Sequence, residues 1–281
     1  MSIMKKLKEY LNRPLSFIMF LLIIISTVIT ALTVVFIIGY IFIKGVPNLS
    51  LDIFSLKYSS SNQSMLPSII NTVYLTALTL LLAVPIGIFS AIYLAEYSRK
   101  NSFFVKIINI ANETLSGIPS IVYGLFGFLA FVISKKWGYS LLAGVITLAI
   151  MVLPLIIRTS QEAMLGVDDT FREASYGLGA GKLRTVFKIV LPSAMPGILS
   201  GIILAIGRIV GETAALIYTA GTVPEAATKL TSSSRTISVH LYCLLNEGLY
   251  TEQAYATAVV LIVFVVIINA LSNALAKKIM K

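Results

Sequence analysis

Charge is what this sequence has least of. Only 12% of its 281 residues are Asp, Glu, Lys or Arg, about half the share found in an ordinary soluble domain. A soluble surface cannot be built from so little charge, so a bilayer must be the main solvent. Cysteine and histidine are nearly absent, with Cys243 and His240 the single examples. One cysteine excludes an intramolecular disulfide and any multi-cysteine metal site, and both residues are read first as packing or incidental surface positions. Nucleotide-binding and zinc fingerprints are missing too. The run Gly177-Leu178-Gly179-Ala180-Gly181-Lys182 is a decoy, because Tyr176 stands where a phosphate-binding loop needs its first glycine and Leu183 stands where it needs Ser or Thr. The sequence therefore predicts no catalytic residue, no metal ligand, no cofactor bound by this chain and no ATP site of that kind.

What is abundant is apolar. Hydrophobic residues make up 57% of the chain and the mean hydropathy is +0.92. Six stretches stand out, at 14–43, 69–95, 106–135, 137–157, 192–224 and 253–276. Glu113 interrupts the third, and Arg208 and Glu212 lie inside the fifth. Crossing the hydrocarbon core takes roughly 20 apolar residues as a helix. In lipid every backbone amide must be bonded within its own segment unless strands close a barrel, and these runs do not alternate as barrel strands do. The prediction is an all-α membrane protein with six transmembrane helices in one domain, 1–281. Within it, the helix at about 15–43 reads as a retained signal anchor, a permease core spans about 69–276, and the segment 158–192 forms the longest inner loop. Two longer outer segments, 44–68 and 221–252, leave room for local structure, and 237–245 is an apolar run too short to span.

Orientation follows from the basic residues. With both termini cytoplasmic, the inner segments hold 15 of the 22 Lys and Arg residues and the outer segments hold 6, with Arg208 inside a span. The inner set includes Lys5, Lys6, Lys8, Arg13, Arg99, Lys100 and Lys281. This asymmetry obeys the positive-inside rule and explains the net charge of +10 without a nucleic-acid partner. The expected location is a cell membrane, crossed several times.

The inner loop carries its own signals. Asp168, Asp169 and Thr170 are N-cap candidates, and Thr170 with Glu173 has capping-box spacing. Phe171, Ala174 and Leu178 share one helical stripe, with Gly179 and Gly181 to stop the helix. A second short helix is predicted from Lys182 toward Leu191, ended by Pro192. Such a knob suits a groove on a partner, or alternatively the lipid surface. The motif Glu173-Ala174-Ser175, then Gly179, then Ile189, Leu191 and Pro192 resembles the EAA loop of ABC-importer permeases, with Ser175 in place of the second alanine. That resemblance implies the type I importer permease fold and makes these residues the coupling helix seated on an ATP-binding subunit.

Arg208 and Glu212 are costly within a span, at roughly 2.5–3.5 kcal/mol for a central arginine. Spaced i, i+4 on one helix, they are predicted to share a face. Two readings stand open: a self-neutralising structural ion pair, or a lining of the solute path. Small residues surround them, with Gly197 and Gly201 at GxxxG spacing and Gly207 and Gly211 repeating it. Ser116, Ser120 and Gly124 form a second small-residue stripe near Pro119; stripes of this kind serve close packing or a solute. Glu113 lies about two turns from the inner end of its span. An arginine fork suits a phosphate oxyanion.

The segments Gly117-Ile-Pro-Ser-Ile-Val-Tyr-Gly-Leu-Phe-Gly127, Arg208-Ile-Val-Gly-Glu-Thr-Ala-Ala215, Val239-His-Leu-Tyr242 and Asn246-Glu-Gly248 resemble the phosphate-importer permeases, and more the PstA type than the PstC type. The resemblance covers most of the chain from about Ile69. It implies a permease subunit that moves inorganic phosphate by alternating access, with Arg208, Glu212, Glu113 and Ser120 along the path. It also implies a second permease of the PstC type, two ATP-binding subunits that hold ATP and Mg, and an external phosphate-binding protein. The competing readings are a permease for sulfate, molybdate or another small solute, and a secondary transporter, which the lack of a visible internal repeat disfavours.

Overall fold

The computed structural model describes residues 14–98 and 102–279. The basic residues Lys5, Lys6, Lys8, Arg13, Arg99, Lys100 and Lys281 and both chain ends lie outside the described residues. In order, the elements are α1 (Pro14–Gly45), α2 (Leu66–Ile92), α3 (Phe103–Gly117), α4 (Ser120–Gly127), α5 (Leu141–Leu165), α6 (Asp169–Gly177), α7 (Lys182–Thr185), α8 (Leu191–Gly211), α9 (Ala214–Thr219), α10 (Ile237–Glu247) and α11 (Thr251–Ile279). No strand occurs among the described residues. Wide π turns extend α2 through Tyr93–Tyr97, extend α4 through Phe128–Ser134, and join α7 to α8 through Val186–Val190.

Five helices are long and apolar enough to cross a membrane, and a sixth crossing exists if α3 and α4 count as one span. α5 is the central post. Leu148, Met151, Val152 and Ile156 are buried in it, against Leu75 and Ala83 of α2 and Ala205 and Ile209 of α8. Close approach is built from small residues. A Cβ on Gly201 would collide with Thr159, and one on Gly197 would lie 2.6 Å from the Ala163 Cβ. These two contacts also fix α5 and α8 as antiparallel neighbours. α1 stands outside this core, with its apolar window wholly unburied. It touches α11 where Gly45 meets the Tyr255 carbonyl and where the rings of Tyr40 and Tyr255 lie 5.9 Å apart. An apolar shell of this kind is stable only against lipid.

Four predicted boundaries change. The stretch 106–135 is not one straight helix: α3 and α4 meet at a 100° bend. Pro119 is the cause, because its ring disfavours helical backbone at the preceding residue, and Ile118 is extended at φ −71°, ψ 129°. The fourth span does not end at Ile157 but runs to Leu165, so the inner loop starts at Gly166 rather than at 158. Pro192 does not end a helix. The π turn at 186–190 takes up the missing amide at the proline, and 182–211 runs as one 30-residue rod. The capping box fails as well: Asp168, not Thr170, caps α6, its carboxylate accepting the Thr170 amide at 2.9 Å and the Thr170 hydroxyl at 2.8 Å. The short apolar run after the fifth span does form a helix, α10, packed against α11.

Candidate functional site

The α6 knob is held in place from below. Gly179 sits at φ +80°, a conformation favourable to glycine. The Ala180 amide donates to Ser175 O at 3.1 Å and the Gly179 amide to Tyr176 O at 2.9 Å, so the helix closes in a Schellman turn. The motif divides by exposure. Glu173, Ala174 and Gly179 face out, together with Phe171, Tyr176 and Leu178, the last 89% exposed. Ser175 is buried, and its hydroxyl lies 2.8 Å from that of Thr185. The serine that departs from the EAA pattern thus ties α6 to α7. Ile189 and Leu191 are half-buried in the rod, and Pro192 is exposed.

Two residues that sequence reasoning passed over fix the knob to the bundle. Arg172 Nε and Nη2 donate to Glu96 Oε1 at 3.2 and 2.8 Å. Nη2 also reaches Met164 O at 2.8 Å, while Nη1 donates to Val167 O at 2.6 Å and Asp169 Oδ1 at 3.0 Å. A hydrogen bond to the neighbouring amide and hydroxyl of Thr170 holds the Asp168 carboxyl below its ordinary range. No local pattern in the sequence marks the Arg172–Glu96 pair, since its members are 76 residues apart.

The second region lies in mid-bundle. Counting seven residues from the Gly201–Thr159 contact, about 10 Å along each helix, brings Arg208 level with Val152, near the centre of α5. The predicted shared helical face with Glu212 is not there. α8 stops at Gly211, and Glu212 is extended at φ −72°, ψ 127°. Its carboxylate accepts the Ala215 amide at 3.1 Å, capping α9, and its carbonyl accepts the Ser238 hydroxyl at 2.7 Å. No Arg208–Glu212 ion pair occurs among the described residues, whose three bridges are Arg158–Glu162, Arg172–Glu96 and Arg172–Asp169. Glu212 is buried and Arg208 half-buried. Beside Arg208, Gly207 and Gly211 face open space, unlike Gly197 and Gly201. The two glycine pairs thus do different things: one packs within the chain and the other leaves a bare strip on the part of α8 that carries Arg208.

The α3–α4 bend comes to the same place. Leu115, Ile118 and Tyr123 pack in one cluster with Ala205, Ile209 and Ala215, and the Tyr123 hydroxyl donates to Leu115 O at 2.8 Å, bracing the two arms. Gly124 lies against Ala215, where a Cβ would come within 2.8 Å of its Cα. Ser120, half-buried, opens α4 at this bend. Glu113 is not part of this group. It is exposed and lines a separate cleft of about 250 Å³ with Asn109, Asn112, Arg158 and Glu162, on the knob side.

At the end of the bundle away from the knob, Arg235 and His240 are buried. The Arg235 guanidinium lies 4.7 Å from the centre of the Tyr58 ring, which meets His240 edge-on at 6.4 Å and donates to Gln63 Oε1 at 2.7 Å. Burial first, and the Arg235 charge second, push His240 down to about 3. His240 is thus a packed, neutral imidazole. No grouping of three or more His, Cys, Asp or Glu able to hold a metal occurs among the described residues.

The chain is similar to known transport proteins. The family described as binding-protein-dependent transport system inner membrane component matches residues 83–281. The probable ABC transporter permease protein YqgI of Bacillus subtilis (strain 168) is 32% identical over 249 residues, 82% of this chain and 84% of the relative. The phosphate transport system permease protein PstA of Yersinia pestis is 33% identical over 240 residues, 84% and 81%. Among solved structures, a bacterial ABC transporter that imports the acidic polysaccharide alginate superposes with a TM-score of 0.67 at 18% identity, covering 99% of this chain and 100% of that one. The methionine ABC transporter MetNI gives 0.58 at 18%, covering 75% and 94%. At that identity these two structures speak for the fold.

Proposed function

Because the chain belongs to the binding-protein-dependent transport system inner membrane components, as a PstA-type ABC permease of the plasma membrane, we propose that it is the membrane-spanning subunit of an ATP-driven phosphate importer. The observation that carries the substrate is the state of Arg208. Its nearest carboxylate in sequence, Glu212, is committed to the α9 amide, so the guanidinium keeps its fork for an oxyanion at mid-depth. A lone arginine there is costly unless it faces a cavity or a partner, and the bare Gly207–Gly211 strip supplies such a face.

The remaining parts follow. A second permease of the PstC type covers the Gly207–Gly211 strip and closes the path from the other side. Of two ATP-binding subunits, which hold ATP and Mg, one seats the exposed face of α6, with Glu173, Ala174 and Gly179 at the contact. This makes the knob end cytoplasmic and both termini cytoplasmic, with the phosphate-binding protein docking at the end that carries Arg235. Hydrolysis then alternates access to Arg208 from one end to the other, and the cleft at Glu113 lies on the inner exit. Ser120 adds a hydroxyl at the bend beside the path.

The competing reading is a permease for a different solute, such as sulfate or molybdate; the description of YqgI names no substrate and speaks for neither. The Arg208 site separates the two. Arg208→Lys keeps the charge and loses the bidentate fork, so phosphate uptake per assembled complex should drop, and Arg208→Gln should drop further. Unchanged phosphate uptake in Arg208→Gln rejects the assignment.

A further inference from the structure

We infer that Arg172 and Glu96 form the mechanical joint that passes displacement of the α6 knob into the membrane-spanning helices, Arg172 acting as a positioning residue. The inference rests on the reading of α6 as the seat of an ATP-binding subunit and adds the route by which motion leaves it.

α6 has nine residues, too few to be a stable helix by itself. Its position depends on what grips it. On one side the buried Ser175–Thr185 contact and the Gly179 turn tie it to α7 and so to the 30-residue rod that carries Arg208. On the other side there is Arg172. Its guanidinium spans three elements at once: Glu96 in the π turn that ends α2, the Met164 carbonyl in the last turn of α5, and the Val167 carbonyl between α5 and α6. A cation at the α5 C-terminus also suits the helix dipole.

The pair is screened from water, with side chains 13% and 5% exposed. A charge pair in that setting is strongly attractive; removing Arg172 strands Glu96, while removing Glu96 leaves Arg172 the largely exposed Asp169 as its one carboxylate partner. The joint is therefore stiff. Beyond it the packing is tight: a Cβ on Gly87 of α2 would lie 2.6 Å from Ile156 of α5, and α5 meets α8 at Gly197 and Gly201 without space between them. A push on α6 is thus shared by α2, α5 and α8 instead of being absorbed in the loop. Arg158–Glu162 is the contrasting case, since its side chains are 60% and 63% exposed and both lie on one helix, so it joins nothing to anything else.

The test uses the full transporter complex carrying Asn109→Cys in a Cys243→Ser background, where Asn109 is exposed at the cleft on the knob side. Alkylation of the introduced thiol is followed with and without ATP. Glu96→Gln keeps shape and hydrogen bonding but removes the charge. The complex should assemble and hydrolyse ATP, while the nucleotide-dependent change in alkylation rate falls by about tenfold or more. Arg172→Gln should behave alike, and Arg172→Lys, which keeps the charge but cannot span all three acceptors, should fall between. A full nucleotide response in Glu96→Gln overturns the joint, and so does loss of the ATP-binding subunits from an otherwise inserted Glu96→Gln chain, which would make the pair a structural prop. The readout needs no solute. A complex that responds to nucleotide yet carries no phosphate contradicts the substrate reading, while an unresponsive Glu96→Gln in that same complex still supports the joint.

Discussion

Glu212 Oε1 accepts the Ala215 amide at 3.1 Å, four residues beyond Gly211, where α8 stops. The carboxylate therefore serves the backbone of α9, and Arg208 one turn earlier is not spoken for by it. Glu212→Ala should destabilise the protein by about 1 kcal/mol, the usual cost of a lost helix cap, whereas Glu212→Gln keeps an acceptor at the same place and should stay near wild type. Thermal unfolding of the purified protein measures both. The double variant Arg208→Gln with Glu212→Gln should assemble and still fail to transport; recovery of transport by the double would restore the structural-pair reading.

Gly179 predicts a backbone effect separable from bulk. At φ +80° with nothing near its Cβ position, Gly179→Ala should cost about 1–2 kcal/mol through the left-handed backbone alone, and Gly179→Asn less. Gly179→Arg adds a side chain on the exposed face, so it should also lower recovery of the ATP-binding subunits with the chain. Equal recovery for Ala and Arg variants would show that this face does not touch them.

The Ser175–Thr185 contact should be worth about 1 kcal/mol. Ser175→Ala, the residue the EAA pattern would place there, leaves the Thr185 hydroxyl with the Gly181 carbonyl at 3.3 Å as its partner. The expected result is a small loss of stability with coupling retained, read as ATP hydrolysed per phosphate moved.

His240 gives a pH dependence with a definite sign. Its folded pKa is about 3, pushed down from 6.5 by burial and then by Arg235. Above pH 6.5 both folded and unfolded states hold a neutral imidazole. As pH falls below 6.5 the unfolded state takes up the proton first, so stability declines from there toward pH 3. His240→Gln should flatten that part of the curve in detergent. A slope unchanged by the substitution would mean that another group sets it.

The sequence and the structure part company at definite points. The spans were legible because runs of apolar residues have one physical outcome in a bilayer, and α10 was legible as an apolar run too short to cross. The bend at Ile118 was half visible, since Pro119 marks a weak point but not an angle. The end of α8 at Gly211 was invisible: 192–224 is one apolar stretch, and Glu212 leaves the helix with an extended backbone, its carbonyl held by Ser238 from 26 residues away. The assumption of one continuous helix produced the mistaken shared face. Glu96 and Arg172 carry no signal in the sequence, because a pair separated by 76 residues leaves no periodic trace. The glycines divided only in three dimensions, Gly197 and Gly201 inward against α5, Gly207 and Gly211 outward to empty space.

Phosphate uptake decides the function. Cells lacking this chain, cells with it restored, and cells carrying Arg208→Gln are given labelled phosphate, with labelled sulfate alongside. Restored cells should accumulate phosphate above the deletion background, Arg208→Gln cells should match the deletion, and sulfate should be the same in all three. Sulfate uptake that follows the chain while phosphate does not would overturn the phosphate assignment.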